Sequence, residues 1–436
     1  MYKGERPLMK EKLYVLLTII MIFLISCGNY KKDNTSESME ESTKVPFTIV
    51  EKNYNREGIA VPKIYIDTKL IPNRDEYVET SIKIIDEGKQ YSDIEVVNGK
   101  IKVRGHTTAY GTKIPYNIKF SDKKNILGMG NSKKWCLIAN LFDPTLMRNM
   151  LAMDFARNMG LDYTPKCEYI ELFYNGQDQG LYLICQPVSE GKDKVDLDLS
   201  EGDCLLQLQP NYEYSDKVKI TTHTGLIFTI EEGKDKEIEN ISKFVNDFEN
   251  SIAYGIDAVE EYADIDSFVD YYVFNELFKD VDFATSSTYF YIKEGKIYAG
   301  PVWDYDLSAG NVDYSYYEKY NNIEKHEENY AGFYCQELWF MYLWQIPEFR
   351  EKVIDRFFEI QPLIENLTTD NELGVNRIDN IINIYGEDFK HNFTIWDVSY
   401  RYGPNSKIPL GTYEENVEFL RSWLINRNNW LKNEWT

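Results

Sequence analysis

The chain has 436 residues, of which 43% are hydrophobic and 15% aromatic, so it can bury one large core or two medium ones and is not generally disordered. It carries 48 Lys and Arg residues against 71 Asp and Glu residues, and the net charge of −23 argues against DNA, RNA or anionic lipid as the main partner. A cation or a basic partner fits this charge better. The 6 cysteines form no CxxC pair and there are 4 histidines, so a zinc or iron–sulfur site is not expected.

The N-terminus has the pattern of an export signal with a lipid-attachment site. Basic residues precede an apolar run over Leu13–Ile25, which is shorter than the roughly 20 residues needed to span a bilayer. The run closes with the string LISC, which resembles the bacterial lipobox, in which the cysteine receives diacylglycerol. We predict a signal peptide over residues 1–26, a lipid anchor at Cys27 and a flexible tether over residues 27–45. The alternative is an ordinary signal peptide followed by a chance cysteine.

The first part of the exported chain is rich in predicted strands. Residues 46–103 alternate β-rich runs with polar turns, a pattern typical of a half-buried sheet. Asp143-Pro144 predicts the start of a helix that ends at Gly160. An Asn-Gly pair at residues 175–176 then predicts a hairpin between strands over 169–174 and 180–186.

Helices dominate from about residue 245. Asp266 is expected to cap a helix over 267–279, and a late helix is expected over 413–432. A β-rich half followed by a helical half predicts an α+β fold. The five cysteines beyond Cys27 lie mostly in apolar runs, so we interpret them as buried thiols, with one disulfide allowed.

The most informative stretch is 282–306, which has the pattern of strand, turn and strand. A tight turn at Glu294-Gly295 would set Asp306 opposite Phe283. Asp282, Asp304 and Asp306 would therefore converge at one end of the hairpin, with the last two on one face.

Three acids in this arrangement repel each other unless positive charge lies among them. A hard divalent cation bound by carboxylate oxygens is the usual solution, so we predict a magnesium or manganese site. A structural calcium site and a solvated acidic turn are the alternatives.

Several uncommon strings occur between residues 60 and 310. They are KVRGHTT at 102–108, KIPYNIKF at 113–120, LGM at 127–129, KWCLIAN at 134–140, LMRN at 146–149, ELFYNG at 171–176, QGLY at 179–182 and GPVWDYDL at 300–307. In this order they resemble the CotH-type spore coat kinase family, an atypical group of protein-kinase-like proteins. The resemblance implies a kinase-like fold over 46–436, with a β-rich lobe over about 46–190 and a mainly helical lobe over about 245–436.

The resemblance also implies roles for the acids. Asp282 would be the catalytic-loop acid that orients or deprotonates the acceptor hydroxyl, and Asp304, helped by Asp306, would hold the metal that bridges the ATP phosphates. The family commonly has an asparagine five residues after the catalytic aspartate as a second metal ligand. Ser287 stands there in this chain and is a weaker ligand. His106 likewise stands where the family string continues with asparagine.

The phosphate-binding cations are expected in the β-rich lobe. Arg104, Lys113, Lys119 and Arg148 lie in the family-matched strings. Lys113 is the first choice and Lys119 the alternative, and both would share a strand face if the strand continued through Pro115. Arg148 would reach a phosphate or pair with an active-site acid. For each of the four, a surface charge or a structural ion pair is the competing interpretation.

The function implied by the resemblance is that of an exported, lipid-anchored kinase. It would transfer the ATP γ-phosphoryl group, with Mg²⁺ or Mn²⁺, to hydroxyl side chains of a surface or spore-coat protein that is Ser/Thr-rich or basic. It would sit on the outer face of the bacterial membrane or on the spore, touching lipid through its anchor only and binding no nucleic acid. The alternative is an inactive kinase-like module for metal or nucleotide binding, coat assembly or adhesion. A metal-dependent hydrolase is disfavoured, because no second group of His or Asp ligands lies nearby in the sequence.

Overall fold

A closed barrel of seven strands forms the N-terminal part of the computed structural model, which describes residues 60–209, 217–312, 328–402 and 406–436. The strands are β1 Lys63–Asp67, β2 Val78–Ile85, β3 Ile94–Val103, β4 Tyr116–Asn125, β5 Asn131–Ile138, β6 Cys167–Tyr174 and β7 Gln177–Cys185. The parallel pair β1 and β6 closes the barrel, and the other neighbours are antiparallel. Alternate side chains such as Ile64, Ile118 and Trp135 fill its interior and are fully buried.

The predicted export signal, the lipid anchor at Cys27 and the tether lie outside the described residues. Within the described ranges, no helix has the length and hydropathy needed to cross a bilayer.

Helix α1, Arg148–Met159, packs between the outer face of the barrel and the rest of the core. It begins later than predicted, because Asp143-Pro144 belongs to a preceding turn in which Leu146 has a positive φ of 62°. The Asp143 carboxylate nevertheless accepts the backbone N–H of Arg148 at 2.8 Å, so it still satisfies a donor of the first helical turn. The helix ends at Gly160 as predicted, with φ of 104°, a conformation that glycine adopts without steric cost.

A second sheet joins three strands that lie before residue 245 to the hairpin predicted over 282–306. It contains β8 Cys204–Gln209, β9 Lys219–Thr221, β10 Ile227–Glu232, β11 Tyr289–Lys293 and β12 Lys296–Ala299, in the order β12-β11-β8-β10-β9. Helices α2 Ile238–Ser251, α3 Ile256–Glu260 and α4 Ile265–Phe278 lie between β10 and β11. The β-rich N-terminal part and the mixed strand and helix content agree with the predicted α+β class.

The C-terminal helices complete the core around α4. They are α5 Phe340–Leu343, α6 Pro347–Glu359, α7 Gln361–Glu365, α8 Arg377–Ile395 and α9 Tyr413–Trp435. Helix α4 is capped by Asp264, not by Asp266, because the Asp264 carboxylate accepts the Ser267 N–H at 2.8 Å. Helix α9 begins as predicted and extends to Trp435, and Thr412 and Glu415 form a reciprocal capping box at its start.

Five cysteines of the described chain are buried free thiols, as interpreted from the sequence: Cys136, Cys167, Cys185, Cys204 and Cys335. The disulfide that the sequence allowed does not form among them.

Candidate active site

The hairpin of β11 and β12 has the register predicted from its turn. Glu294 and Gly295 both have positive φ, 51° and 77°, as a tight two-residue hairpin turn requires. The strands end at Tyr289 and Ala299, so the predicted pairing of Asp306 with Phe283 is not formed. Two loops that flank the hairpin, 279–288 and 300–311, bring the acids together instead.

Four carboxylates form the acidic cluster at these loops: Asp280, Asp282, Asp304 and Asp306. Asp282 and Asp304 are half-buried, whereas Asp280 is 3% exposed and Asp306 is 8% exposed. Asp304 has a positive φ of 69°, which is uncommon for a residue with a side chain and typical of functional loops. The three predicted acids lie near enough to raise one another's pKa values or those of Asp280, which joins them. The burial of two members argues against a solvated acidic turn.

The cluster strongly disfavours full ionisation. Burial, with the nearby charge of Asp304, raises the pKa of Asp282 to about 7. Burial likewise raises the pKa values of Asp280 and Asp306 well above the ordinary range, and the other members of the cluster add to this by charge repulsion. The cluster therefore holds protons near neutral pH unless positive charge is bound to it.

Few donors satisfy these carboxylates. The Asp282 N–H donates to Asp280 Oδ2 at 3.1 Å, and the Ser287 hydroxyl lies 3.4 Å from Asp304 Oδ2. Asp280 Oδ1 is buried without a hydrogen-bond partner, and the salt bridges of the described residues include none to the four acids. Carboxylate oxygens are the ligands that a hard divalent cation prefers, but no three of these four acids bring their oxygens within 4.8 Å of one another, so the acids alone do not form a closed ligand set.

Arg104 is the predicted phosphate cation that the structure brings beside this cluster. Its guanidinium lies over the ring of Trp303, 5.2 Å from the ring centroid. Burial opposes the charge of Arg104, but the neighbouring Cys136 and Asp304 outweigh it and raise the pKa of the guanidinium. His106 is also within the electrostatic influence of Asp304, although burial and the adjacent Arg74 lower its pKa.

Lys119 lies on the outer face of the barrel. In β4 it alternates with the buried Ile118 and Phe120, and it is the cross-strand neighbour of Lys100 and Lys134. These three lysines form a basic row on the barrel surface.

Lys113 is buried in the seam between the barrel and α8. Its ammonium donates to the Leu181 carbonyl and, at 2.9 Å, to Asn392 Oδ1. Burial lowers the pKa of Lys113 to about 7. Strand β4 begins at Tyr116, after Pro115, so the expected strand face shared with Lys119 is not formed. The donors of Lys113 are thus engaged in the seam and not with the acidic cluster.

Arg148 is a buried structural cation. Its Nη1 donates to Asp143 Oδ1 at 2.5 Å, its Nε to the Ser308 carbonyl at 3.0 Å and its Nη2 to the Ala309 carbonyl at 3.2 Å. Neither predicted role is formed, because Arg148 pairs with Asp143, which lies outside the acidic cluster; the competing interpretation, a structural ion pair, is the one observed. Arg148 ties α1 to the loop that follows Asp306.

Two asparagines hold the same loop and were not predicted. Asn149 Oδ1 accepts the Tyr305 N–H at 2.7 Å, and Asn311 Nδ2 donates to the Asp306 carbonyl at 2.7 Å. The string LMRN contains Asn149, so a sequence signal existed for it. For Asp280, the signal was its spacing of two residues before Asp282.

The comparisons with known proteins agree with the strings in the sequence. The family described as CotH kinase protein matches residues 101–431, a range that contains the acidic cluster and Arg104. Inner spore coat protein H of Bacillus subtilis (strain 168) is 34% identical to this chain over 90 residues, which are 21% of this chain and 24% of that protein. The aligned segment therefore covers about a quarter of that relative.

Proposed function

Because the chain belongs to the CotH kinase protein family, we propose that it is an atypical protein kinase that transfers the γ-phosphoryl group of ATP to a hydroxyl group of a protein acceptor. The observation that carries the proposal is the acidic cluster, in which Asp282, Asp304 and Asp306 converge and lack bound basic side chains among the described residues. Phosphoryl transfer depends mainly on positioning and charge neutralisation, and such a cluster can hold the cations that this requires.

Asp282 is the proposed general base. In the transfer, the acceptor oxygen bonds to the γ-phosphorus, the bond to the β–γ bridging oxygen breaks, ADP leaves, and Asp282 takes the hydroxyl proton. A pKa of about 7 suits a group that must accept a proton near neutral pH. Its half-buried position keeps it accessible to an acceptor side chain.

Asp304 and Asp306, with Ser287, are the proposed ligands of Mg²⁺ or Mn²⁺. The ion, when bound, supplies charge neutralisation to the phosphate oxygens. Arg148 and Asn149 hold the loop that carries both aspartates. They are positioning residues for this site.

Arg104 is the proposed phosphate-binding cation. Its stacking on Trp303 fixes the guanidinium plane near Asp304, and a planar fork of donors suits phosphate oxygens. Lys119, the other lysine considered from the sequence, neighbours Lys100 and Lys134 on the outer barrel surface and has no contact that relates it to the acidic cluster among the described residues.

The proposed acceptor is a basic or Ser/Thr-rich surface or spore-coat protein. The net charge of −23 favours a basic partner. The name of the matched relative, inner spore coat protein H, supports a spore location. We further propose that the chain is exported and anchored to the outer face of the membrane through a lipid on Cys27.

The test is transfer of ³²P from [γ-³²P]ATP by the full chain to itself and to a basic acceptor protein, with Mg²⁺ or Mn²⁺. Asp282→Asn and Asp304→Asn should each reduce labelling at least about a hundredfold, the range in which general-base and electrostatic groups contribute. Asp355→Asn is the matched control, because Asp355 is an exposed residue of α6.

Labelling by the wild type that survives both substitutions would contradict the assigned site. Metal-dependent nucleotide binding without labelling would favour the alternative, an inactive kinase-like surface module.

A further inference from the structure

A histidine and two acids meet on the outer face of the barrel, outside the acidic cluster. They are Glu171 of β6, Asp178 of β7 and His391 of α8, and we call them the His391 triad. His391 Nε2 lies 2.7 Å from Asp178 Oδ2 and 3.0 Å from Glu171 Oε1. One ligand atom from each side chain lies within 4.8 Å of the other two, and no other His, Cys, Asp and Glu side chains of the described residues form so close a group of three.

The fold brings these side chains together through a β-bulge and a glycine. The pairing of β6 with β7 shifts its register between Glu171 and Phe173, so β7 carries one extra residue there. Gly180 lies in this bulge with a positive φ of 72°, and a Cβ at this position would lie 2.7 Å from Asn392 Oδ1. The glycine therefore lets α8 approach β7 closely, and His391, next to Asn392, reaches the two carboxylates.

The triad also has the surroundings that a metal site needs. Asp178 Oδ1 accepts the Gly180 N–H at 2.7 Å, which leaves Oδ2 to face His391, and such bonds orient metal-ligating carboxylates. The carboxylate of Glu171 is only 15% exposed and accepts no hydrogen bond from the described residues. The imidazole of His391 is 46% exposed, so solvent and ions have an entry path.

The charges around the triad favour a bound cation. Asp388, one helical turn before His391, adds a third negative charge that acts on both His391 and Glu171. Lys63 also acts on Glu171, but its ammonium is paired with Glu87 at 3.1 Å. A neutral imidazole has at most one proton on Nε2 and can donate it well to one carboxylate, so the second carboxylate lacks a donor.

We propose that the His391 triad binds a divalent metal ion that accepts mixed nitrogen and oxygen ligands, such as Zn²⁺, and that the ion fastens α8 to the barrel. Zinc bonds of about 2.0–2.2 Å place tetrahedral ligands about 3.3–3.6 Å apart, so the nitrogen and the two oxygens need to separate by less than about 1 Å. Water would fill the remaining position on the exposed side. Few histidines and no CxxC pair disfavour a site built from Cys and His, but this one takes two of three ligands from carboxylates. The site shares no residue with the proposed kinase site.

The test is calorimetric binding of Zn²⁺ to the metal-free full chain near neutral pH in excess Mg²⁺. The Mg²⁺ occupies the proposed site at the acidic cluster and is a poor match for an imidazole ligand. We expect His391→Gln and Asp178→Asn each to weaken Zn²⁺ binding at least tenfold. Asp178→Asn keeps an oxygen for the Gly180 N–H. His223→Gln is the matched control, because His223 is an exposed histidine elsewhere on the chain, and it should bind as the wild type does.

Two further measurements show where the ion binds and that the variants are folded. In the ¹⁵N spectrum of the 4 histidines, the Nε2 signal that is missing in His391→Gln should shift when Zn²⁺ is added to the wild type. Thermal unfolding in EDTA checks the fold of each variant. Zn²⁺ should then raise the unfolding midpoint of the wild type and of His223→Gln, but not that of His391→Gln.

The competing account is an ion pair of protonated His391 with the two carboxylates, which predicts no Zn²⁺ binding by the wild type. That result would overturn the proposal, and so would an affinity within twofold of wild type in both triad variants. Loss of binding in Asp304→Asn with retention in His391→Gln would assign the ion to the acidic cluster and overturn it as well. Zn²⁺ binding that depends on the triad, in a protein that transfers no phosphate, would support this site and contradict the proposed function alone.

Discussion

The protonation of Asp282 predicts how the stability of the metal-free protein depends on pH. Its pKa is about 7 in the folded chain against an ordinary value of 3.8, so the folded form holds a proton that the unfolded chain has released over this interval. The free energy of unfolding therefore falls as the pH rises from about 4 to about 7. Three pH units at about 1.36 kcal/mol each correspond to about 4 kcal/mol for this group.

Asp282→Asn isolates this contribution. The amide has nearly the same size and stays neutral, so the variant is free of the cost of ionising the buried carboxyl next to Asp304. Wild type and variant should have similar stability at pH 4.5. At pH 8, we expect the variant to be more stable by about 4 kcal/mol, because only the wild type then carries the extra charge.

The assay is urea unfolding of the full chain in EDTA at the two pH values, followed by tryptophan fluorescence. The quantity of interest is the difference in the free energy of unfolding between wild type and variant, from which the titration of groups remote from the acidic cluster cancels. Adding Mn²⁺ at pH 8 should narrow that difference, since bound positive charge offsets the same repulsion. Asp355→Asn, at an exposed position, should show a difference near zero at both pH values.

Two results would refute this reasoning. The first is a gap between wild type and Asp282→Asn that is the same at both pH values. The second is a wild type that gains stability over the variant as the pH rises, since that sign requires a lowered pKa in the folded state.

Three further predictions concern the fold, the site and the location. Glu276 and Arg427 form a fully buried ion pair, so Arg427→Met should lower the free energy of unfolding by about 3–5 kcal/mol. Lys432→Met, which breaks the partly exposed pair with Glu365, should lower it by about 1 kcal/mol or less. Equal urea midpoints for the two variants would contradict this. Arg148→Met should reduce kcat at least tenfold in the transfer assay with little change in the KM for ATP, because it displaces the metal-binding loop; a change in KM alone would instead indicate phosphate binding. Cys27→Ser should move the chain from the membrane fraction to the soluble fraction and abolish labelling by radioactive palmitate, and retention of the label would exclude this cysteine as the anchor.

Features that depend on neighbouring residues were determined by the sequence. The turn at Glu294-Gly295 sets the register of β11 and β12, whereas the loops beyond the paired residues bring Asp304 and Asp306 near Asp282. Gly160 ends α1 for the same kind of reason, because a backbone conformation with positive φ favours glycine. The family-like strings along the chain also predicted the order in which the site residues occur.

The tertiary structure decided the roles of the basic side chains. Lys113 bonds to Asn392, 279 residues away, and Arg148 bonds to the Ser308 carbonyl, 160 residues away. A strand or helix pattern indicates which face a side chain occupies, but it does not indicate which distant segment covers that face. Arg104 lies at the site, where its guanidinium stacks over the ring of Trp303.

The same distinction explains Asp280. Its spacing from Asp282 is visible in the sequence, but the absence of a partner for Oδ1 follows from how the surrounding segments use their donors. Local sequence fixes turns, caps and register, because these depend on backbone conformations and hydrogen bonds within a few residues. The energy of a buried charge depends on every group around it in space, so the chemistry of the acidic cluster was decided only by the folded chain.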